Sequence, residues 1–409
     1  MGSPRTLDTR ESTAWMRRFA RTTPGVVGIV AVTVATLCVV TGVVAGAELD
    51  GRIAKSQAVL DRSEPLAYAA QNLYAALSAA DAVAAAEFLS GNDSSAVRVR
   101  YQQALADAAA ALTDVTSGAP DPATRQAAAD LTAQLAAYTG LVESARANNR
   151  QGFVVGGGYL REASSLMQTT MLPGAERIFT RDLATLDADQ RAVGSTPVVS
   201  VVLTGVSLAA VGIASVVVFR RSNRQFNIGL VIAAATVVLA GAWMLVATGA
   251  AAGAIADSRR QATSFQQLAE ARIAAQQART DETLELIARG DITAGEQAFT
   301  DHLEELTVTD AVTAWQVSHR KQVQFYENSD YNAAVAQAIG PDPTASTAQF
   351  AAVETSLRDQ IEQSRAAVRE QVSVAGTWLA WSPTGTLVLM TAAAAATVVG
   401  LWPRLKEFL

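Results

Sequence analysis

The stretch from Thr196 to Asp257 constrains this chain more than any other. It carries two apolar runs, uncharged from Ala192 to Phe219 and again from Gln225 to Ala256. Each exceeds the roughly 20 residues a helix needs to cross a bilayer core. The short turn between them holds Arg220, Arg221 and Arg224 and no acid. Short Arg-rich loops remain in the cytoplasm, so the pair reads as a transmembrane hairpin with its turn inside.

Two more uncharged runs, Thr22 to Ala47 and Gln371 to Pro403, raise the number of expected spans to four, with both termini inside. They account for the 17% charged content, below the quarter or so usual in soluble domains. The expected division is a cytoplasmic N-terminus over 1–24, spans over 25–47, 196–219, 227–253 and 379–402, a basic loop over 220–226 and a tail over 403–409. Segments 48–195 and 254–378 then lie outside. The inner pieces are basic and the whole chain carries −6, so the outer segments are acidic. That charge reads as a solvated surface. The alternative for span one is a signal peptide cleaved after Ala45-Gly46-Ala47, but its apolar core is longer than an h-region. The single cysteine, Cys38, falls inside that span, so the outer segments have no disulfide to rely on. Gly42 and Gly46 give span one a small-residue face for close helix approach.

Both outer segments show helical periodicity and abundant alanine. In the first, helices are expected from Glu48 to Ser90, Ser95 to Val115, Ala123 to Ala147, and from Tyr159 onward into span two. Gly91-Asn92-Asp93-Ser94, Ser117 to Pro122 and Asn148 to Gly158 punctuate them. Pro65 and Pro173 predict disturbances within the long helices. In the second segment helices are expected over Asp257–Arg289, Thr293–Leu306, Thr307–Asn328 and Thr344–Gln371, with a kink at Pro383. The fold class is an all-α membrane protein: four transmembrane helices and two extracytoplasmic four-helix bundles, the second half an internal duplication of the first.

Catalytic signatures do not emerge from this reading. There are two histidines, His302 and His319, and they read as surface residues on helices without a convergent metal-ligand set. The Gly156–Gly158 run lacks the Lys-Ser/Thr of a phosphate loop. The spans have no ionisable residue in their cores, which argues against ion-coupled transport. No cofactor, metal or nucleic-acid partner is expected. The candidate partner-binding residues are Asn92, Asp93, Asn149, Gly156, Gly157, Gly158 and Tyr159 at the outer tip, and Arg220, Arg221 and Arg224 on the inner loop.

Paired spans flanking an outer helical bundle resemble the sensor modules of chemoreceptors and histidine kinases. Tyr159–Phe179, YLREASSLMQTTMLPGAERIF, resembles a segment of actinobacterial four-span membrane proteins of the GlnX type. That resemblance implies a relay in which a solute-binding lipoprotein, GlnH, senses aspartate or glutamate outside and a cytoplasmic Ser/Thr kinase, PknG, receives the signal. The expected function is therefore non-enzymatic signal relay across the cell membrane. The alternative is a scaffold subunit of an envelope complex.

Overall fold

The computed structural model describes residues 23–90, 95–119, 121–222, 227–288 and 290–406. Among these residues the fold is all helical. Four helical stretches are long and apolar enough to cross a membrane, as a multi-pass protein requires. In chain order the helices are α1 (Thr23–Ala58), α2 (Glu64–Ser90), α3 (Ser95–Gly118), α4 (Pro122–Arg150), α5 (Val155–Leu166), α6 (Leu172–Gly194) and α7 (Val198–Ser222). They continue as α8 (Ile228–Ala288), α9 (Thr293–Glu304), α10 (Asp310–Glu327), α11 (Tyr331–Ile339), α12 (Ser346–Leu379) and α13 (Ser382–Lys406). A five-residue π turn, Val59–Ser63, joins α1 to α2, and a second, Met167–Met171, joins α5 to α6.

Both π turns have the same cause. Each stands just before a proline: Glu64-Pro65 in one case and Leu172-Pro173 in the other. The Glu64 and Leu172 N–H groups close π-type bonds onto Val59 O and Met167 O. The next residue has no N–H to give, and the extra residue in the turn absorbs the mismatch without breaking the helix. Proline acts differently at the span boundaries. Pro197 falls in the break between α6 and α7, so span two begins as a new helix rather than continuing α6 as the periodicity suggested. Pro383 sits in the first turn of α13, after a break at Ala380-Trp381. Elsewhere caps set the starts. Asp121 accepts from Thr124 N at 2.9 Å with Pro122 at the first helical position, and Thr309 and Asp330 cap α10 and α11 in the same way.

The described residues divide into two units. The span unit comprises the chain up to Gln57, Gln190–Ala256, and the chain from Gln371. Its core is Val27, Val34 and Cys38 of α1, Val211 and Val218 of α7, Leu230 and Val237 of α8, and Met390 and Leu401 of α13. Small residues bring the backbones close. A Cβ on Gly42 would lie 2.9 Å from Met390 Cβ, and one on Gly229 only 2.3 Å from Gly400 Cα. Asn227 locks the second crossing, donating to Gly400 O at 2.9 Å and accepting from Gly229 N at 3.0 Å. Thr41 and Ser207 share a hydroxyl hydrogen bond of 2.8 Å. With lipid on one side and helix on the other, such close packing and buried polar pairs hold spans together.

The polar unit comprises Ala58–Asp189 and Asp257–Glu370. Its main core is built on α2 to α6, around Leu73, Leu77, Leu112, Leu131, Tyr138, Met167 and Phe179. Phe265 of α8 and Ile361 of α12 belong to the same cluster, so the two segments of the polar unit share one core. A second cluster gathers Phe299, Leu303, Val312 and fully buried Trp315. The second segment has one helix more than expected, α11, whose Ala334 and Ala338 pack with Leu286 and Leu89. The two halves also differ at the helix that follows the span: α8 runs unbroken for 61 residues where the first half has a π turn.

Candidate functional site

A groove of about 880 Å³ runs between α2 and α3 on one side and α8 and α12 on the other, wholly within the polar unit. Alanines make its first wall, Ala69, Ala76 and Ala79 from α2 and Ala104 and Ala111 from α3. Their small side chains leave the space open. Arginines close it on the far side. Arg272 of α8 is 7% exposed and reaches two other helices, α2 and α12, at once. Its Nε donates to Glu354 Oε1 at 2.8 Å, and its Nη1 donates to Gln71 Oε1 at 3.1 Å and Asn72 Oδ1 at 3.2 Å. Gln276 adds a bond to Glu354 Oε2 at 3.1 Å.

Two more arginines from α12 grip the π turn. Arg365 Nε donates to Glu64 Oε1 at 2.6 Å, and its guanidinium lies 3.3 Å from the centre of the Tyr68 ring. Arg369 Nη1 donates to Glu64 Oε2 at 3.1 Å and to Leu60 O at 3.0 Å. Leu60 O is the carbonyl that residue 65 would bond in a continued π register, and Pro65 has no N–H. Arg369 supplies the missing donor. Glu64 is 2% exposed, so both cations on it are strongly coupled to its position. Replacing a single partner here would strand buried charge.

The structure brings together part of the set expected at the outer tip. Asn149 Nδ2 approaches Phe88 O at 3.5 Å. A Cβ on Gly156 would lie 3.0 Å from both Ala145 O and Asn149 N, so glycine is what lets α5 meet α4. Gly157 faces Phe88, Gly158 faces open space and Tyr159 is 36% exposed. Gly152 turns the chain with φ +73°, a conformation that favours glycine. The turn projects Phe153, Val154 and Val155, with Val154 95% exposed, an apolar knuckle absent from the sequence expectations. Beside it a cavity of about 420 Å³ is lined by Phe88, Tyr101, Arg146 and Asn149, and the Arg146 guanidinium lies 4.2 Å from the Tyr101 ring centre. Asn92, Asp93 and Arg224 lie outside the described residues, as does the Arg221 side chain. Arg220 is exposed near the end of α7.

His319, expected at the surface, is instead buried, 2% exposed. Its Nδ1 lies 3.2 Å from Glu282 Oε1 and its Nε2 2.8 Å from Glu296 Oε1, with Phe299 stacked at 3.7 Å. Burial alone would lower its pKa, but the two carboxylates outweigh that and push it up to about 9. His302 pairs with Asp281 at 2.9 Å. A polar stripe on α8 carries Arg272, Gln276, Arg279, Glu282 and Glu285, all buried. Charged residues ordinarily stay in water, which hid this stripe from the sequence.

Residues 55–191 match a family described as the actinobacterial sensor domain. The match takes in the π turn, the α2–α3 wall of the groove and the turn at Gly152–Tyr159. It supports a sensing protein of actinobacterial type. No curated protein matched the chain, and no solved structure did.

Proposed function

We propose that the chain is a non-enzymatic signal relay of the cell membrane. Its polar unit lies outside the cell and responds to a bound solute or partner, and its short basic pieces carry the state to a protein inside. The observation that carries this reading is the grip of Arg365 and Arg369 on Glu64 and Leu60 O at the π turn. A π turn before proline is a natural joint in a helix, and here it is held by charge-assisted bonds from a helix that also lines the groove. A ligand that competes for Arg365 or Arg272 changes the strength of that grip. Helix α8 unites span residues and groove residues such as Arg272 in one unbroken segment.

The finer assignment follows the resemblance to the GlnX type. A solute-binding lipoprotein would dock on the tip around Asn149, Gly156, Gly157, Gly158 and Tyr159, with the Phe153–Val155 knuckle as its apolar contact. A Ser/Thr kinase inside would read Arg220, Arg221 and Arg224. Photo-reactive residues at Val154 and Arg220, crosslinked in living cells and analysed by mass spectrometry, test this. A binding lipoprotein on the first and a kinase on the second are expected. Envelope or transporter components at both positions would replace the relay with a scaffold.

A further inference from the structure

We propose that Glu285, Glu296 and His319 form a binding site for one divalent transition cation of the zinc class. The sequence offers no such set, because the three residues come from α8, α9 and α10; the fold brings them together. One ligand atom from each lies within 4.8 Å of the other two. Ligand atoms around a zinc ion at about 2.0–2.2 Å stand roughly 3.4 Å apart, so closing the set takes about an ångström. Glu296 has the freedom to move, since its side chain is 31% exposed. It also opens the site to solvent, giving a cation a way in.

Two independent features point to a ligand. Glu285 is 6% exposed; its Oε1 accepts from Gln322 Nε2 at 2.8 Å, while its Oε2 meets no ordinary donor and the carboxyl faces that of Glu296. Two acid groups held together in a buried place repel unless a proton or a metal ion lies between them. Gly295 keeps the space beside Glu285 clear, since a Cβ there would lie 3.2 Å from that same Oε2. The second feature is the support behind His319. Its Nδ1 faces Glu282, which also accepts from Trp315 Nε1 at 3.2 Å and pairs with Arg279. A carboxylate behind the far nitrogen fixes the ring and leaves Nε2 as the metal-facing atom. Imidazole plus two carboxylates suits zinc or its neighbours better than calcium or magnesium.

The site lies outside the matched segment 55–191 and does not depend on the relay reading. The test uses the full chain in nanodiscs, stripped by chelator and titrated with zinc chloride and cobalt chloride. One equivalent should bind, with cobalt giving the visible bands of a nitrogen–oxygen site. Glu296→Gln and Glu285→Gln should each weaken binding by at least the roughly 10–100-fold that loss of an outer-shell partner costs. Glu296→Gln is the safer variant, being part-exposed, and its circular dichroism and metal-free melting confirm folding. The proposal is overturned if the wild type binds no zinc or cobalt below about 100 μM, or binds only calcium or magnesium. It is equally overturned if both folded variants bind as the wild type does.

Discussion

At the residue scale the buried acid Asp81 shows how the polar unit uses charge. It is 1% exposed and accepts from Ser164 Oγ at 2.7 Å and from Tyr138 Oη and Gln168 Nε2 at 3.2 Å. All three donors are neutral. Burial raises its pKa, and the hydrogen bonds offset only part of that. The folded state therefore holds this proton more tightly than the unfolded chain. Its contribution to stability is full below the unfolded carboxylate value, about 3.9, and is lost as pH rises toward the folded value. Asp81→Asn removes the titration, so the melting curve of the variant should fall less than that of the wild type between acid and neutral pH. Asp81→Ala should cost about 1–3 kcal/mol by stranding donors. Thermal melts of the detergent-solubilised chain at several pH values check both. Asp81 and His319 were illegible in the sequence for one reason: a lone acid or histidine on an Ala-rich helix looks solvated until its neighbours from other helices are known. Gly156 was legible as a special position, and the structure gives it a packing reason.

At the element scale, prolines were the clearest signal, and their effects divide by context. Pro65 and Pro173 predicted disturbances, and π turns stand there. Pro197 starts a new helix instead, because Ser195 and Thr196 end the previous one. Helix α11 was overlooked although its Asp330 cap and terminal Gly340 are ordinary signals; its nine residues fell below the length at which periodicity is persuasive. The role assigned to Arg369 yields a cycle. Arg369→Ala alone should cost roughly 1–3 kcal/mol by orphaning Leu60 O and weakening the hold on Glu64. Pro65→Ala restores an N–H to that turn, so the double variant should lose less than the sum of the two singles, as chemical denaturation can measure. Within the span unit, Gly229→Ala should force α8 and α13 apart at Gly400, lowering stability by roughly 1–3 kcal/mol in a detergent unfolding titration. Gly212→Ala, where a Cβ meets nothing within 4 Å, should be nearly neutral.

For the whole molecule, the four spans were legible because length and lack of charge are properties of single helices. The shared core of the polar unit was not, since Phe265 and Ile361 show their partners only in three dimensions. The proposed relay requires that the α12 clamp on the π turn set the arrangement of the helices that reach the spans. Paired spin labels at Phe219 on α7 and Trp402 on α13, both exposed in the span unit, read that arrangement directly. Cys38, the only cysteine, is first replaced by alanine. Electron–electron distance distributions are then compared in nanodiscs between this background and the same chain with Arg365→Ala and Arg369→Ala. Once the clamp is gone, the distribution should be shifted or newly bimodal by about 1–2 Å or more. Superimposable distributions from two folded proteins would contradict it.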